Sequence, residues 1–227
     1  MTLILVPSRG PIDWRRLLAA PRKQWRRRFS ARTLAYAWER ANGLPPEIRR
    51  ALAKAEVPSL RTAQILLAIP EHPVDLPGGR SPSQNDVFVL ARTTSGLACI
   101  TIEGKVDEDF GPVFDEWYAH PSTGKLARWH YITKVLGLEG VSPRGLRYQL
   151  FHRLASAAVE AERFGAGDAI MLVHSFGARP ELFADYRAFV ELFARQPKRG
   201  EILQLESRAP IRLHAGWVDG DRKHLNA

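Results

Sequence analysis

Asp86, Glu103 and Lys105 are the residues whose types and spacing point most directly to chemistry. Glu103-Gly104-Lys105 closes an apolar run, Leu97–Ile102, that reads as a β-strand, and residues two apart on a strand project to one face. Asp86 opens a second such run, Val87–Ala91, and Thr93-Thr94-Ser95-Gly96 between the runs has the composition of a hairpin connection. With that connection centred between Thr94 and Ser95, Asp86 stands directly opposite Glu103, their Cβ atoms roughly 4.5–5.5 Å apart. Carboxylates this close repel, and a shared proton or a bound cation relieves the repulsion. Oxygen-only ligands suit Mg²⁺ or Mn²⁺. A lysine beside them can orient or help deprotonate an attacking water, or stabilise charge on a phosphoryl oxygen. The outline is a phosphodiester hydrolysis site. The bland alternative is a cross-strand ion pair at a sheet end. A second acid-x-lysine triplet, Asp221-Arg222-Lys223, lies in the polar tail, but only the first follows an apolar strand with an acid in hairpin register.

The elements that must position these side chains follow from periodicity and punctuation. Ser30 reads as the N-cap of a helix through Leu34, Tyr36, Ala37 and Trp38, stopped by Asn42-Gly43 and Pro45-Pro46. Pro46 opens a second short helix with Ile48, Leu52 and Ala55 on one face. Ala63–Ile69 is a strand candidate ending at Pro70, and residues 71–85, rich in proline and glycine, read as a loop. After the hairpin, helical periodicity returns over 113–118, 126–136 and, most clearly, 146–163, where Leu146, Leu150, Leu154, Ala158 and Ala161 make an apolar stripe. Ala169–Val173 is a buried strand candidate. A helix over 181–194, with Phe183, Phe189 and Phe193 among its core-facing residues, and a strand over Ile211–Val218 complete the pattern. The predicted class is α/β, a mixed central sheet flanked by helices. Residues 1–58 form a basic helical segment packed on a core of residues 59–227, one structural domain overall.

The 227 residues carry a formal charge of +9. Residues 1–50 hold 12 Lys and Arg against 3 Asp and Glu, and the rest balance. Within that segment Arg22, Lys23, Arg26, Arg27 and Arg28, interleaved with Trp14 and Trp25, form a candidate phosphate-binding stretch. The same residues equally describe a solvated basic face whose tryptophans anchor it to the core. A single cysteine, Cys99, forbids an internal disulfide and fits a reducing, cytoplasmic setting. The apolar run 1–7 is too short for a signal-peptide core or a membrane span. Gly-x-Ser-x-Gly, P-loop and Gly-x-Gly-x-x-Gly fingerprints are missing, and the seven histidines show no zinc spacing.

Asp86, sixteen intervening residues and then Glu103-Gly104-Lys105, within helix-strand-strand-strand-helix-strand order over residues 31–175, resembles the PD-(D/E)XK nuclease superfamily. More narrowly, Gly78–Asp86, Glu103–Val106 and Arg147–Arg153 resemble a bacterial family with no assigned function. Asn85 stands where the name-giving motif has proline, a departure many superfamily members share. The resemblance implies a restriction-endonuclease-like αβββαβ core. It implies that Asp86 and Glu103 hold Mg²⁺ or Mn²⁺, that Lys105 serves the nucleophilic water, and that Gln149 on the following helix supports the site. It also implies an additional metal-facing acid, for which Glu39 on the early helix is preferred to Glu71. Nucleic acid is then the expected partner, no membrane is, and double-strand cutting would favour a homodimer. The competing expectation is a nucleic-acid-binding or assembly protein of the same fold without turnover.

Overall fold

The computed structural model describes residues 8–79 and 81–227; the apolar run 1–7 and Arg80 of the Gly78–Asp86 segment lie outside the described residues. In chain order the helices are α1 (Pro11–Trp14), α2 (Pro21–Gln24), α3 (Ser30–Ala41), α4 (Pro46–Ala53), α5 (Phe114–Trp117), α6 (Thr123–Leu136), α7 (Tyr148–Phe164) and α8 (Pro180–Glu191). The strands are β1 (Gln64–Val74), β2 (Ser83–Thr93), β3 (Gly96–Lys105), β4 (Asp168–Ser175), β5 (Ile202–Gln204) and β6 (Arg212–Asp219). They form one six-stranded sheet in the order β1-β2-β3-β4-β6-β5. β1, β2 and β3 run antiparallel, β4 and β6 join in parallel, and β5 returns antiparallel. The expected α/β mixed sheet flanked by helices is the observed architecture.

Strand periodicity sorts the core into two layers. Phe88, Leu90, Cys99, Met171 and Val173 face α6, α7 and α8, while their neighbours Val87, Val89, Ile100, Ile102 and Leu172 face the N-terminal helices. On that second face Trp14, Leu34, Trp38, Ile48 and Leu52 are buried in the same cluster as the strand residues. The segment over 8–58 is therefore bound to the sheet by apolar burial. Among the described residues no helix is long and apolar enough to cross a membrane.

Three expectations need correction. Ser30 does not cap α3: Phe29 holds the N-cap position without a side-chain bond, and the Ser30 N–H is donated to Glu108 Oε1 at 2.7 Å. Asn42 does stop that helix, in the left-handed region at φ 48°. The loop expected over 71–85 shrinks, because β1 runs on through Pro70 and Pro73 to Val74 and β2 begins at Ser83. β1 is an edge strand, where a missing N–H can face away from the ladder, so proline does not end it. α8 ends at Glu191, short of Phe193, and Phe183 is half-buried against Trp217.

The β4–β6 ladder opens on Asp168↔Arg212, and this pair is also ionic. Arg212 donates Nε to Asp168 Oδ1 and Nη2 to Oδ2, both at 2.8 Å, and His214 Nε2 lies 2.8 Å from Oδ1. Although burial alone would raise the Asp168 carboxyl, these partners hold it down at about 2. The depressed folded value makes the ionised form a stabilising one. Its contribution is complete above about pH 4 and vanishes as pH falls through about 2, on the order of 2 kcal/mol. Asp168→Asn is expected to lower the urea midpoint at pH 7, and the gap from wild type should close between pH 4 and pH 2. Titrating both proteins by denaturation across that window checks the expectation.

Candidate active site

Three neighbouring strands bring three acids into one row. The β2–β3 ladder keeps the predicted register as far as Val87↔Ile102, which places Asp86 and Glu103 at the next position. On the other side, Pro70↔Val87 and His72↔Asn85 bracket Glu71 and Asp86. Glu71, Asp86 and Glu103 thus occupy corresponding positions on β1, β2 and β3. Glu71 sits in the left-handed region at φ 51°, a strained backbone for a residue with a Cβ, and Gln84 Nε2 donates to its carbonyl oxygen.

Glu103 is the most heavily bonded of the three. Lys105, two residues on and therefore on the same face, donates Nζ to Oε1 at 2.6 Å. Gln149 Nε2 reaches the same oxygen at 2.9 Å, and Arg153 Nε reaches Oε2 at 2.5 Å. Gln149 and Arg153 are four apart on α7, so one helix face delivers both. Gln149 Oε1 accepts in turn from Lys105 Nζ at 3.1 Å, and Arg153 Nη1 from the other side donates to Ser83 Oγ at 3.0 Å. Glu103, Lys105 and Arg153 are all buried, and Lys105 Nζ lies 4.8 Å from the Phe110 ring centroid.

Electrostatics separates the three acids. Burial would raise Glu103, but the Arg153 and Lys105 charges and their hydrogen bonds bring it down to about 2, so it is a fixed anion. Asp86 goes the other way, to about 7: burial and then the Glu103 charge raise it, against Arg153, Lys105 and the Gly104 N–H, which Oδ2 accepts at 2.7 Å. Glu71 rises to about 9, from burial and then the Asp86 charge. The row holds one firm anion and two carboxyls that resist ionising together.

These groups line a cavity of about 380 Å³. Asp86, Glu103, Lys105 and Gln149, the four expected catalytic residues, all line it. Glu39, the preferred additional acid, does not: its Oε1 accepts from Trp14 Nε1 at 2.7 Å and from Ser8 Oγ at 2.5 Å, so it serves the N-terminal fold. Glu71 lines the cavity in its place. Of the basic stretch, Lys23 lines the cavity, while Arg22, Arg26, Arg27 and Arg28 are exposed outside its lining. Trp14 is buried and Trp25 half-buried, so the tryptophans anchor this segment rather than present it.

Arg153, Gln84 and Ser83 are the site residues that spacing arguments passed over. The signal for Arg153 was its place four residues after Gln149, on the same helix face. Glu71 was placed second to Glu39, in a segment that Pro70 and Pro73 made read as loop. The carboxyls better placed to take a cation are Asp86 and Glu71, since Glu103 already accepts from Lys105, Gln149 and Arg153. Among the described residues no hydrogen bond reaches Asp86 Oδ1. A divalent cation between Asp86 and Glu71 would relieve the repulsion that raises both, so the donor chemistry fits such an ion, although no described group of three or more His, Cys, Asp or Glu side chains is gathered to hold one.

Comparison with known proteins gives one family and no named relative. Neither a curated protein nor a solved structure matches the chain. Residues 7–222 match the family described as a domain of unknown function, DUF6946, and the chain, candidate site included, belongs to that family.

Proposed function

We propose that the protein is a metal-dependent phosphodiester hydrolase, a nuclease of the PD-(D/E)XK kind, acting on DNA or RNA. The observation that carries the reading is the cavity in which Glu71, Asp86 and Glu103 from three adjacent strands meet a buried lysine, with Lys23 of an exposed basic segment at its wall. In this reading Asp86 and Glu71 hold Mg²⁺ or Mn²⁺, with Glu103 behind them as the fixed charge. When bound, the ion supplies Lewis-acid polarisation of the phosphoryl oxygens and activation of water. The chain's own residues do the rest. Lys105, pinned by Glu103 Oε1 and Gln149 Oε1, holds a positive charge at a set position, so no side-chain reorganisation is needed as negative charge develops on the phosphate. Arg153 keeps Glu103 ionised and oriented from the other side. Asp86, raised toward neutrality, is suited to receive a proton if the ion does not hold it.

One observation favours a second reading, a nucleic-acid-binding or assembly protein without turnover. Both Glu103 oxygens are committed to protein donors, and an acid so neutralised contributes less to holding a cation. Metal dependence separates the two. Linear, circular and single-stranded DNA and RNA are incubated with Mg²⁺, Mn²⁺ or EDTA. Cleavage is expected with either ion and none with EDTA, and Lys105→Ala should slow it roughly 10²–10³-fold. Cleavage that is absent everywhere would leave the binding protein as the surviving reading, and cleavage unchanged in the variant would overturn the assignment of this site as its source.

The choice of acid has its own test. Glu71→Gln should abolish cleavage and weaken Mn²⁺ binding measured by calorimetry. Glu39→Gln should leave both intact and cost only thermal stability, about 1 kcal/mol for its two altered, part-buried hydrogen bonds. The reverse pattern would restore Glu39 to the site.

For the basic segment, replacing Arg26, Arg27 and Arg28 with Ala should flatten the salt dependence of nucleic-acid binding. The slope of log K against log salt should drop by about 0.7 for each lost single-strand phosphate contact, or about 0.9 on duplex. An unchanged slope would mean that these exposed arginines face away from the nucleic acid.

A further inference from the structure

The cavity is half-open, and one part of its wall is fixed by the N-terminal segment. Ala19, Lys23 and Gln24 of that segment line it together with Glu71, Asp86 and Glu103. That segment is tied down along its length. Trp14 is buried, Arg28 N–H is donated to Leu225 O at 3.0 Å, and Ser30 N–H to Glu108 Oε1 at 2.7 Å. The other oxygen of Glu108 accepts Val106 N–H at 3.0 Å and Asp107 N–H at 3.1 Å, so this wall is stapled to the chain just beyond Lys105. A space of about 380 Å³ is at the small end of ligand cavities, enough for about one nucleotide.

A row of aromatic rings begins at the first residue of α7. Tyr148, adjacent to Gln149, stacks on Trp117 with ring centroids 3.7 Å apart and planes 8° from parallel, and Tyr118 continues the row 5.7 Å beyond Trp117. Trp117 and Tyr118 are half-buried, and Tyr118 also stacks on Phe114 with centroids 4.8 Å apart. Lys125 Nζ lies 5.6 Å from the Trp117 ring. The row is joined to the site through His152, whose ring is 5.0 Å from Tyr148 and whose Nδ1 is 2.8 Å from Ser83 Oγ, the acceptor of Arg153.

Resting on the nuclease reading, we propose that the substrate is single-stranded nucleic acid. One nucleotide enters the small cavity with its phosphate toward Lys105 and Lys23, and neighbouring bases stack on Trp117 and Tyr118. Stacking platforms beside a cationic groove are the general means of holding single strands without sequence preference, since every base has a π face. A duplex is too stiff to bend into such a space and would have to unpair first, whereas a single strand has nothing to unpair.

The test is competition binding by fluorescence anisotropy, in EDTA and in Mg²⁺, between a labelled single strand and a blunt duplex of the same sequence. DNA and RNA are run in separate arms, with cleavage followed in parallel. The single strand is expected to bind at least about tenfold more tightly than the duplex. Trp117→Ala should cost about tenfold on the single strand, with Trp117→Phe retaining most of the affinity and neither changing duplex binding. Equal or tighter duplex binding, a Trp117→Ala protein that binds single strands normally, or no binding of nucleic acid at all would overturn the assignment. Single-strand preference without cleavage under any metal would instead sink the nuclease reading and leave the assignment standing.

Discussion

Everything at this site depends on one buried carboxylate being neutralised from two sides. Glu103 is removed from water in the middle of the sheet, and an unpaired charge there would take up a proton rather than stay ionised. Lys105 arrives from the same strand and Arg153 from α7, and between them they hold the carboxyl at about 2. Because it stays charged, Glu103 presses on Asp86, and Asp86 presses on Glu71. The raised Asp86 carboxyl owes most to its own burial and next to the Glu103 charge, with Arg153 and Lys105 opposing both. Gln149 bonds to both Lys105 and Glu103, which fixes the relative orientation of the two without changing the charge count.

That arrangement also joins the two halves of the fold. β3 carries Glu103 and Lys105 and pairs with both β2 and β4, while α7 packs on the face that Glu103 points to. Gly104, between the two charged residues, faces the other layer: a Cβ there would meet Leu34 Cδ2 and Asp86 Oδ2, both at 3.2 Å. Larger side chains at 104 would push against α3 and disturb the carboxylate row at once. The glycine in the Glu-x-Lys triplet is therefore set by packing between layers, a reason separate from its neighbours' chemistry.

Much of this was legible from residue order, and what was not has physical causes. The hairpin register was readable because a four-residue connection between two apolar runs leaves little freedom, and the ladder from Val87↔Ile102 to Thr93↔Gly96 keeps it throughout. The apolar stripe of α7 was readable for the same kind of reason, since helical periodicity over seventeen residues is hard to mimic. β1 was truncated because Pro70 and Pro73 are strand breakers in a sheet interior, and nothing local states that a strand lies at the edge. That error displaced the acid assignment as well, since a glutamate in a loop has no cross-strand partner while Glu71 has one. Glu39 attracted the role by lying on a helix of suitable order, but its hydrogen bonds to Ser8 and Trp14 are tertiary and leave no trace in spacing. β5, three residues long, is below what periodicity can register.

The strained backbone at Glu71 connects these points. A non-glycine residue in the left-handed region costs of order 1–3 kcal/mol, and such positions persist only where surrounding contacts over-determine them. Here β1 pairs with β2 on both sides of Glu71, and Gln84, two residues before Asp86 and hence on its face, donates to the Glu71 carbonyl. The strain is confined to the one residue that must turn toward the cavity, while Pro70 and His72 keep their places in the ladder. Two raised carboxyls and a strained backbone are costs that a purely structural sheet edge has no reason to carry, because a serine or glycine at 71 would remove the repulsion, the strain or both. In the proposed reading, a cation bound by these two acids would give those costs a purpose, and Lys105 and Arg153, held on Glu103, fix the site's geometry beforehand.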